Sequence, residues 1–109
     1  MAGDALEVDS GRHRCLDLLR VSWKDASTTL CDYGILLEVW EDGALIQTSI
    51  ALLQGAEVNL ECSHGCFRAT VKSCESDEYG NLLEISVDPS ASWFPSGYKP
   101  SYLFRSEEP

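Results

Sequence analysis

Apolar and polar residues alternate with a period of two in several short segments of the chain. Between residues 16 and 24, Leu19, Val21 and Trp23 alternate with polar neighbours, and the same pattern recurs in "EVNLEC" and "LLEISV". This period is typical of a strand with one buried face, and almost no segment shows a helical period. Turn-forming residues separate the segments at intervals of roughly 8 to 12 residues, as in small antiparallel barrels. The sequence therefore predicts an all-β fold, a small antiparallel β-barrel.

The chain is long enough for one domain with its own hydrophobic core. At 109 residues it is predicted to form a single domain, and no second domain is expected. Residues 1–13 are polar, contain glycine and show no period, so they are predicted to be a flexible N-terminal arm. The barrel is predicted to occupy residues 14–109.

The segment "GILLEVWEDGALIQTSI" reads as two strands joined at Asp42 and Gly43. Asp-Gly is typical of a two-residue type I′ turn, whose two central positions have positive φ. The predicted cross-strand pairs are Val39 with Ile46, Leu37 with Thr48, Trp40 with Leu45, and Glu38 with Gln47.

A second hairpin is predicted around His64 and Gly65. A two-residue turn there aligns the apolar residues on one face and opposite charges on the other, an agreement that favours this register. The predicted inner pairs are Val58 with Val71, Leu60 with Ala69, and Cys62 with Phe67, and the outer pairs are Glu57 with Lys72 and Glu61 with Arg68.

Three remaining segments lack a clear strand pattern. "DASTTLCDY" is rich in turn-forming residues and is predicted to carry the chain around or along an edge, and "ESDEYGN" is predicted to be a loop. The tail "WFPSGYKPSYLF" places aromatic residues among prolines and a glycine, which predicts an irregular C-terminal tail. Its rings are expected either to plug the barrel or, if exposed, to form a partner surface.

Charge and composition exclude several classes of protein. The formal charge of −10 disfavours binding to a nucleic acid polymer, although a few local arginines could still hold a small nucleotide. No apolar run reaches the roughly 18 to 20 residues of a membrane span, and the N-terminus lacks the features of a secretion signal. The five cysteines are an odd number, which favours free thiols in a reducing compartment. A cytoplasmic protein without membrane insertion is therefore predicted.

The order of features resembles that of a PilZ domain, the small six-stranded barrel of bacterial cyclic-di-GMP signalling. An arginine-containing arm and a strand precede "EVWEDGALIQT", "LLQGAEVNL", "FRATVKSC" and "GNLLEISV", and the resemblance covers residues 11–104. It implies an all-β, antiparallel six-stranded PilZ-like barrel, followed here by the irregular aromatic tail. It also implies a ligand site built from an RxxxR motif in the arm and a DxSxxG motif in the following hairpin.

Laid on this sequence, the family's motifs are only partly matched. The DxSxxG positions fall on Glu38, Trp40 and Gly43, and only the glycine is unchanged. Arg12 matches the first arginine, but Leu16 occupies the position of the second. Leucine can neither stack as a guanidinium does nor donate to phosphate, and each lost charge-assisted hydrogen bond costs about 1.5–3 kcal/mol. Nucleotide binding is therefore predicted to be weakened or lost.

The resemblance implies a non-catalytic regulatory or adaptor module in cyclic-di-GMP signalling, motility or pilus control, acting through a protein partner. Two alternatives remain open. The first is a functional cyclic-di-GMP receptor, and the second is an unrelated SH3-like β-barrel interaction domain. The ligand-binding residues, if retained, are Arg12, Arg14, Glu38, Trp40 and Gly43, and the candidate partner surface is Trp40, Leu45, Trp93, Phe94, Tyr98 and Tyr102.

Neither a metal site nor an enzyme is predicted. Cys62, His64, Cys66 and Cys74 could supply four zinc ligands, but the predicted register places Cys62 and Cys66 on opposite faces. The same geometry disfavours a disulfide between them. Known catalytic motifs such as GxSxG or HExxH do not occur in the sequence, and no cofactor is expected.

Overall fold

The computed structural model describes residues 11–62, 65–90 and 92–100, together with the backbone of residues 102 and 103. All the regular secondary structure in this part of the chain is β-strand. The strands are β1 (His13–Asp25), β2 (Thr28–Trp40), β3 (Gly43–Thr48), β4 (Glu57–Cys62), β5 (Gly65–Asp77), β6 (Gly80–Val87) and the short β7 (Tyr102–Leu103). Most of the predicted arm, residues 1–10, lies outside the described residues, and β1 begins at His13.

The first six strands close into an antiparallel barrel. Their order is β2-β3-β6-β5-β4-β1, and β1 pairs again with β2 to complete the ring. The start of β1 pairs with β7 at Cys15 and Leu16, while its second half pairs with β4 from Arg20 to Trp23. The predicted fold class, a small six-stranded antiparallel barrel, is thus confirmed.

The barrel is filled by the apolar members of the alternating segments. In β1, Leu19 and Val21 are buried and Trp23 is partly buried, as the period of two predicts. Every strand from β1 to β6 contributes to one continuous core. Its fully buried members, besides Tyr98, are Leu36, Ile46, Leu60, Leu83, Ile85, Val21, Val39, Val58, Val71 and Val87.

The β2–β3 turn lies one residue earlier than the Asp-Gly pattern predicts. The turn residues are Glu41 and Asp42, and Trp40 pairs with Gly43, so the predicted type I′ turn at Asp42 and Gly43 is wrong. A register irregularity at Leu37 shifts the pairing further along the strands. The observed pairs are Val39 with Ala44, Glu38 with Leu45, Leu36 with Ile46 and Ile35 with Gln47. Tertiary contacts decide this register, because the Asp42 carbonyl accepts a hydrogen bond from the Val87 amide at 2.9 Å.

Gly43 is required by close packing and not by a positive φ. A Cβ at this position would lie 2.6 Å from the Ile85 carbonyl oxygen and 2.6 Å from Cε2 of Trp40. We expect Gly43→Ala to lower the free energy of unfolding by about 1–3 kcal/mol, because the indole or the backbone must move. Urea denaturation measures the change, and Ser86→Ala, at the position paired with Gly43, is the matched control. A loss no larger than that of the control would contradict the packing argument.

The β4–β5 hairpin is shifted by two residues from its predicted register. Cys62 pairs with Gly65, and of the predicted turn residues, His64 lies outside the described residues. The shift keeps the same side chains inside, because a two-residue slip does not change the face of a strand. The observed pairs are Val58 with Ala69, Leu60 with Phe67, Glu57 with Thr70, Asn59 with Arg68 and Glu61 with Cys66. The predicted ion pairs Glu57–Lys72 and Glu61–Arg68 are therefore wrong, and Glu61 instead pairs with Arg20 at 2.5 Å.

Two segments for which the sequence showed no strand pattern are strand for most of their length. The β1–β2 hairpin turns at Ala26 and Ser27, with Asp25 paired to Thr28, and Ala26 adopts a φ of 60°. The β5–β6 hairpin likewise extends to the pair Asp77–Gly80. In both cases the local turn signals are confined to the hairpin tip, because cross-strand pairing extends the flanking residues.

The aromatic tail plugs the barrel. Trp93 stacks on Tyr98 with ring centroids 4.8 Å apart, and Phe67 packs edge-on against Trp93 at 4.9 Å. The Trp93 indole donates to the Gly43 carbonyl at 3.0 Å, and the Tyr98 hydroxyl donates to the Asp17 carboxylate. Trp93, Phe94 and Tyr98 are buried, so the prediction that these three rings form a partner surface is wrong. They fill the barrel instead, which was the alternative expectation for the tail. The side chain of Tyr102 lies outside the described residues.

The cysteines differ strongly in exposure. Cys31 and Cys66 are exposed, Cys62 and Cys74 are partly buried, and Cys15 is buried, and all five are free thiols. Burial raises the pKa of Cys15 and of Cys62 to about 12, and the Asp17 carboxylate adds to both shifts. Among the described residues, no group of three or more potential metal ligands is found, and His64 lies outside them.

This difference predicts the order in which the thiols react. We expect Cys31 and Cys66 to be alkylated fast at pH 8, and Cys15 to be labelled slowest, because only thiolates react and Cys15 stays protonated and covered. Pulsed iodoacetamide labelling followed by peptide mass spectrometry gives the rates. In urea all five should react alike, and native labelling of Cys15 at the rate of Cys31 would contradict the described burial.

Candidate functional site

The end of the N-terminal arm lies against the β2–β3 hairpin. In the β1–β2 register, His13 pairs with Val39 and Arg14 with Glu38, which carries Arg12 to the level of Trp40. The antiparallel pairing thus brings together side chains that are far apart in the sequence.

Arg12 is held by three neighbours on the outer surface of the barrel. Its guanidinium carbon lies 3.9 Å from the centroid of the Trp40 ring, a cation–π contact. Its nitrogens lie 3.5 Å from Glu38 Oε1 and 3.1 Å from Glu84 Oε2. Lys72 also contacts Glu84, at 3.7 Å. We call Arg12, Glu38, Trp40, Lys72 and Glu84 the arm cluster.

The arm cluster is electrically balanced by its own residues. Two cations, Arg12 and Lys72, face two carboxylates, Glu38 and Glu84, and the indole covers one face of the guanidinium. An incoming phosphate would meet those carboxylates at the place where it needs the arginine, and like charges repel. The cluster is partly exposed, so each ion pair contributes little to stability and can exchange with solvent.

The structure brings most of the sequence-predicted ligand residues together. Arg12, Glu38 and Trp40 are in contact, Gly43 packs under the indole, and Arg14 lies opposite Glu38. Leu16, at the position of the family's second arginine, is instead exposed and pairs with β7.

Sequence reasoning missed Glu84 and Lys72 as members of the arm cluster. The alternation of Leu83 and Ile85 did place Glu84 on the outer face of its strand. What it could not show was that β6 lies beside β3, so that Glu84 comes opposite Leu45 and near Arg12. That neighbour relation depends on barrel closure.

An exposed apolar surface covers the outer face of the β1–β2 hairpin. Leu18 pairs directly with Ile35, and both line a shallow depression of about 340 Å³ with Tyr33 and Tyr79. Their exposed fractions are 62% for Leu18, 60% for Tyr33, 42% for Ile35 and 76% for Tyr79. We call these four residues the apolar patch. Clustered exposed apolar side chains mark interaction surfaces more often than isolated ones do.

A separate cleft of about 530 Å³ lies over β1, β4 and β5. Trp23, Lys24, Asn59 and Arg68 are among its lining residues. None of the residues of the arm cluster lines it. The cleft is therefore a different surface from the one that the sequence motifs select.

No family model, no curated protein and no solved structure matches this chain. The resemblance to PilZ domains thus rests on the sequence features alone. No helix of the described residues is both long and apolar enough to cross a membrane.

Proposed function

We propose that this chain is a non-catalytic PilZ-like adaptor module of bacterial cyclic-di-GMP signalling, motility or pilus control. In this proposal it acts in the cytoplasm through protein contacts, and it binds cyclic-di-GMP weakly or not at all. The observation that carries the proposal is the state of Arg12, which has Trp40 over one face of its guanidinium and is paired with Glu38 and Glu84.

A dinucleotide at this place would have to displace groups that already satisfy Arg12. The Trp40 ring lies over one face of the guanidinium at 3.9 Å, which leaves at most the other face for a guanine to stack on. Pairing a phosphate with Arg12 requires the loss of the Glu84 contact at 3.1 Å and leaves that carboxylate beside a second negative charge. Leu16 supplies no compensating cation. Each step makes binding weaker than at a site with two free arginines.

Protein contact is supported by the surface of the β1–β2 hairpin. The apolar patch is rimmed by polar residues such as Gln47 and Ser49, the arrangement expected of a protein interaction site. Aromatic residues such as Tyr33 and Tyr79 are also the types that anchor protein interfaces. The partner surface is therefore assigned to the apolar patch and not to the buried tail aromatics.

The receptor alternative keeps one specific observation in its favour. Arg12, Glu38 and Trp40 meet where the family's ligand residues are expected to meet. The same contact argues against an unrelated SH3-like barrel, for which no meeting of the arm and the hairpin is expected. The receptor alternative therefore ranks second and the SH3-like alternative third.

A titration with cyclic-di-GMP separates the adaptor from the receptor. We expect no saturable change in amide NMR shifts or in calorimetric heat up to about 1 mM ligand, since two lost contacts move a micromolar site to millimolar. Saturable micromolar binding with shifts at Arg12, Arg14 and Glu38 would overturn the adaptor proposal. Arg12→Ala is the control variant, because it abolishes any binding that uses the arm cluster.

A further inference from the structure

One edge of β2 is unpaired over half of the strand. Residues 28–33 pair with β1 on one side, but β3 pairs with β2 only from Gly34 onward, where Gly34 lies opposite Thr48. After Thr48 the chain leaves the sheet, so the position next to residues 28–33 is not filled by any described strand. Exposed edges of this kind offer a row of backbone donors and acceptors to another chain.

The apolar patch lies directly beside this edge. Tyr33 ends the stretch that has no strand partner on this side, with its amide bonded to the Asp32 side chain and its carbonyl to the Thr48 hydroxyl, and Ile35 follows it on the same outer face of β2. Tyr79, at the tip of the β5–β6 hairpin, shares the depression with Ser49 and Tyr33. A strand placed next to residues 28–33 would therefore gain backbone hydrogen bonds from β2 and apolar contacts from the patch.

Acidic side chains border the same position. The Ser49 hydroxyl donates a hydrogen bond to the Asp32 carboxylate at 2.6 Å, and the Tyr33 amide donates another. These two hydrogen bonds lower the pKa of Asp32, so its carboxylate stays ionised. Asp77 and Glu78 are exposed at the β5–β6 tip beside Tyr79. Arg20 and Lys24, the cations of β1 that face residues 28–33, lie on the strand at the opposite side of β2, and the charge of Arg20 is balanced by Glu61 at 2.5 Å. A binding segment thus meets mainly negative charge.

We propose that the edge of β2 at residues 28–33, with the apolar patch, binds an extended segment of a partner protein that alternates apolar side chains with lysine or arginine. The segment adds to the sheet as a strand in the position that β3 leaves after Thr48. This inference rests on the proposed adaptor function and names the chemistry of its partner.

A second copy of the chain fits this edge poorly. Two copies, each with a net charge of −10, repel one another, and an edge-to-edge pair would bring their Asp32 carboxylates to one interface. A basic segment is attracted by the same charges. The electrostatics therefore favour a basic partner.

A synthetic peptide that alternates valine and lysine tests the proposal on the full chain. About ten residues suffice, since a strand of that length spans the edge at about 3.3 Å per residue. We expect saturable shifts of the amides of residues 28–33, together with slower hydrogen exchange of the edge amides, because new cross-strand hydrogen bonds protect them. A valine–glutamate peptide of the same length should give neither effect.

Two pairs of variants make the test specific. Tyr33→Ser should weaken peptide binding by about tenfold, whereas Leu53→Ser, which removes an isolated leucine that is 84% exposed, should not. Glu78→Lys should weaken it several-fold, and Glu57→Lys, an exposed acid on another strand, should have less effect.

Several outcomes would overturn the strand-addition proposal. They are an absence of edge protection at millimolar peptide, equal binding of the valine–glutamate peptide, and shifts confined to the arm cluster. Concentration-dependent dimerisation that protects residues 28–33 would assign the edge to a second copy instead. Failure of the adaptor proposal is distinguishable, because it appears as cyclic-di-GMP binding at Arg12 whatever the peptide does.

Discussion

Replacing Trp93 with alanine is expected to lower the free energy of unfolding by about 3–5 kcal/mol. The indole is buried between Tyr98, stacked at 4.8 Å, and Phe67, packed edge-on at 4.9 Å. Its removal leaves a cavity and breaks the hydrogen bond that the indole donates to the Gly43 carbonyl at 3.0 Å. The tail would lose its main anchor to the barrel.

Urea denaturation with linear extrapolation measures the loss of stability. Two further variants show how much of it comes from the hydrogen bond and how much from burial of the ring. Trp93→Phe keeps a ring but removes the hydrogen bond from the indole to the Gly43 carbonyl, so we expect an intermediate loss of about 1–3 kcal/mol. Trp40→Ala removes an indole that is only partly buried and should cost less than Trp93→Ala. A loss below that of Trp40→Ala would show that the tail does not plug the barrel as described.

The alternation of apolar residues predicted the fold class and the buried faces but not the strand registers. Val58 and Leu60 are buried as predicted, although each pairs two residues away from its predicted partner. A slip of two residues leaves every side chain on the same face, so the apolar pattern gives no information about it. What fixes the register is tertiary, as when Glu61 reaches Arg20 on β1.

The turn predicted at Asp42 and Gly43 is wrong for a related reason. The Asp-Gly pair favours a turn with positive φ, but Gly43 is needed as the first residue of β3, where it packs under Trp40 and bonds to Trp93. A glycine can serve a positive φ or a close approach, and the sequence does not distinguish the two. The aromatic tail was ambiguous in the same way, since rings that plug a core and rings that face a partner have the same composition.

The arm cluster was predictable in part. The family resemblance selected Arg12, Glu38 and Trp40, which the structure brings into contact. It could not identify Glu84, whose role depends on which strand lies beside β3. The unpaired edge of β2 was also hidden, because "DASTTLCDY" has the composition of a loop and becomes a strand only through its pairing with β1.

Alkaline pH is expected to destabilise the fold from about pH 9 upward. Burial, with a contribution from Asp17, raises the pKa of Cys15 from 9.0 to about 12 and that of Cys62 likewise from 9.0 to about 12. Burial and the hydrogen bond to Asp17 also raise the pKa of Tyr98 above its usual value of 10.0. All three groups stay neutral in the folded chain at a pH at which the unfolded chain ionises.

The direction in which stability changes with pH follows from the number of protons that each state binds. Above pH 9 the unfolded chain holds fewer protons than the folded chain, so the stability from these groups is full below pH 9 and falls as the pH rises towards 12. Each fully shifted group lowers the free energy of unfolding by at most about 1.4 kcal/mol per pH unit, and the partly buried Cys62 by less.

Urea denaturation between pH 8 and about pH 11 should therefore show a loss of several kcal/mol, steepest above pH 9. Cys15→Ala removes one ionising group and should flatten the slope, although it lowers stability at pH 8 through the lost packing. Cys31→Ala removes an exposed thiol instead and should leave the slope unchanged. An equal slope in both variants would contradict the prediction, because Cys15 would then ionise as readily in the folded chain as in the unfolded chain.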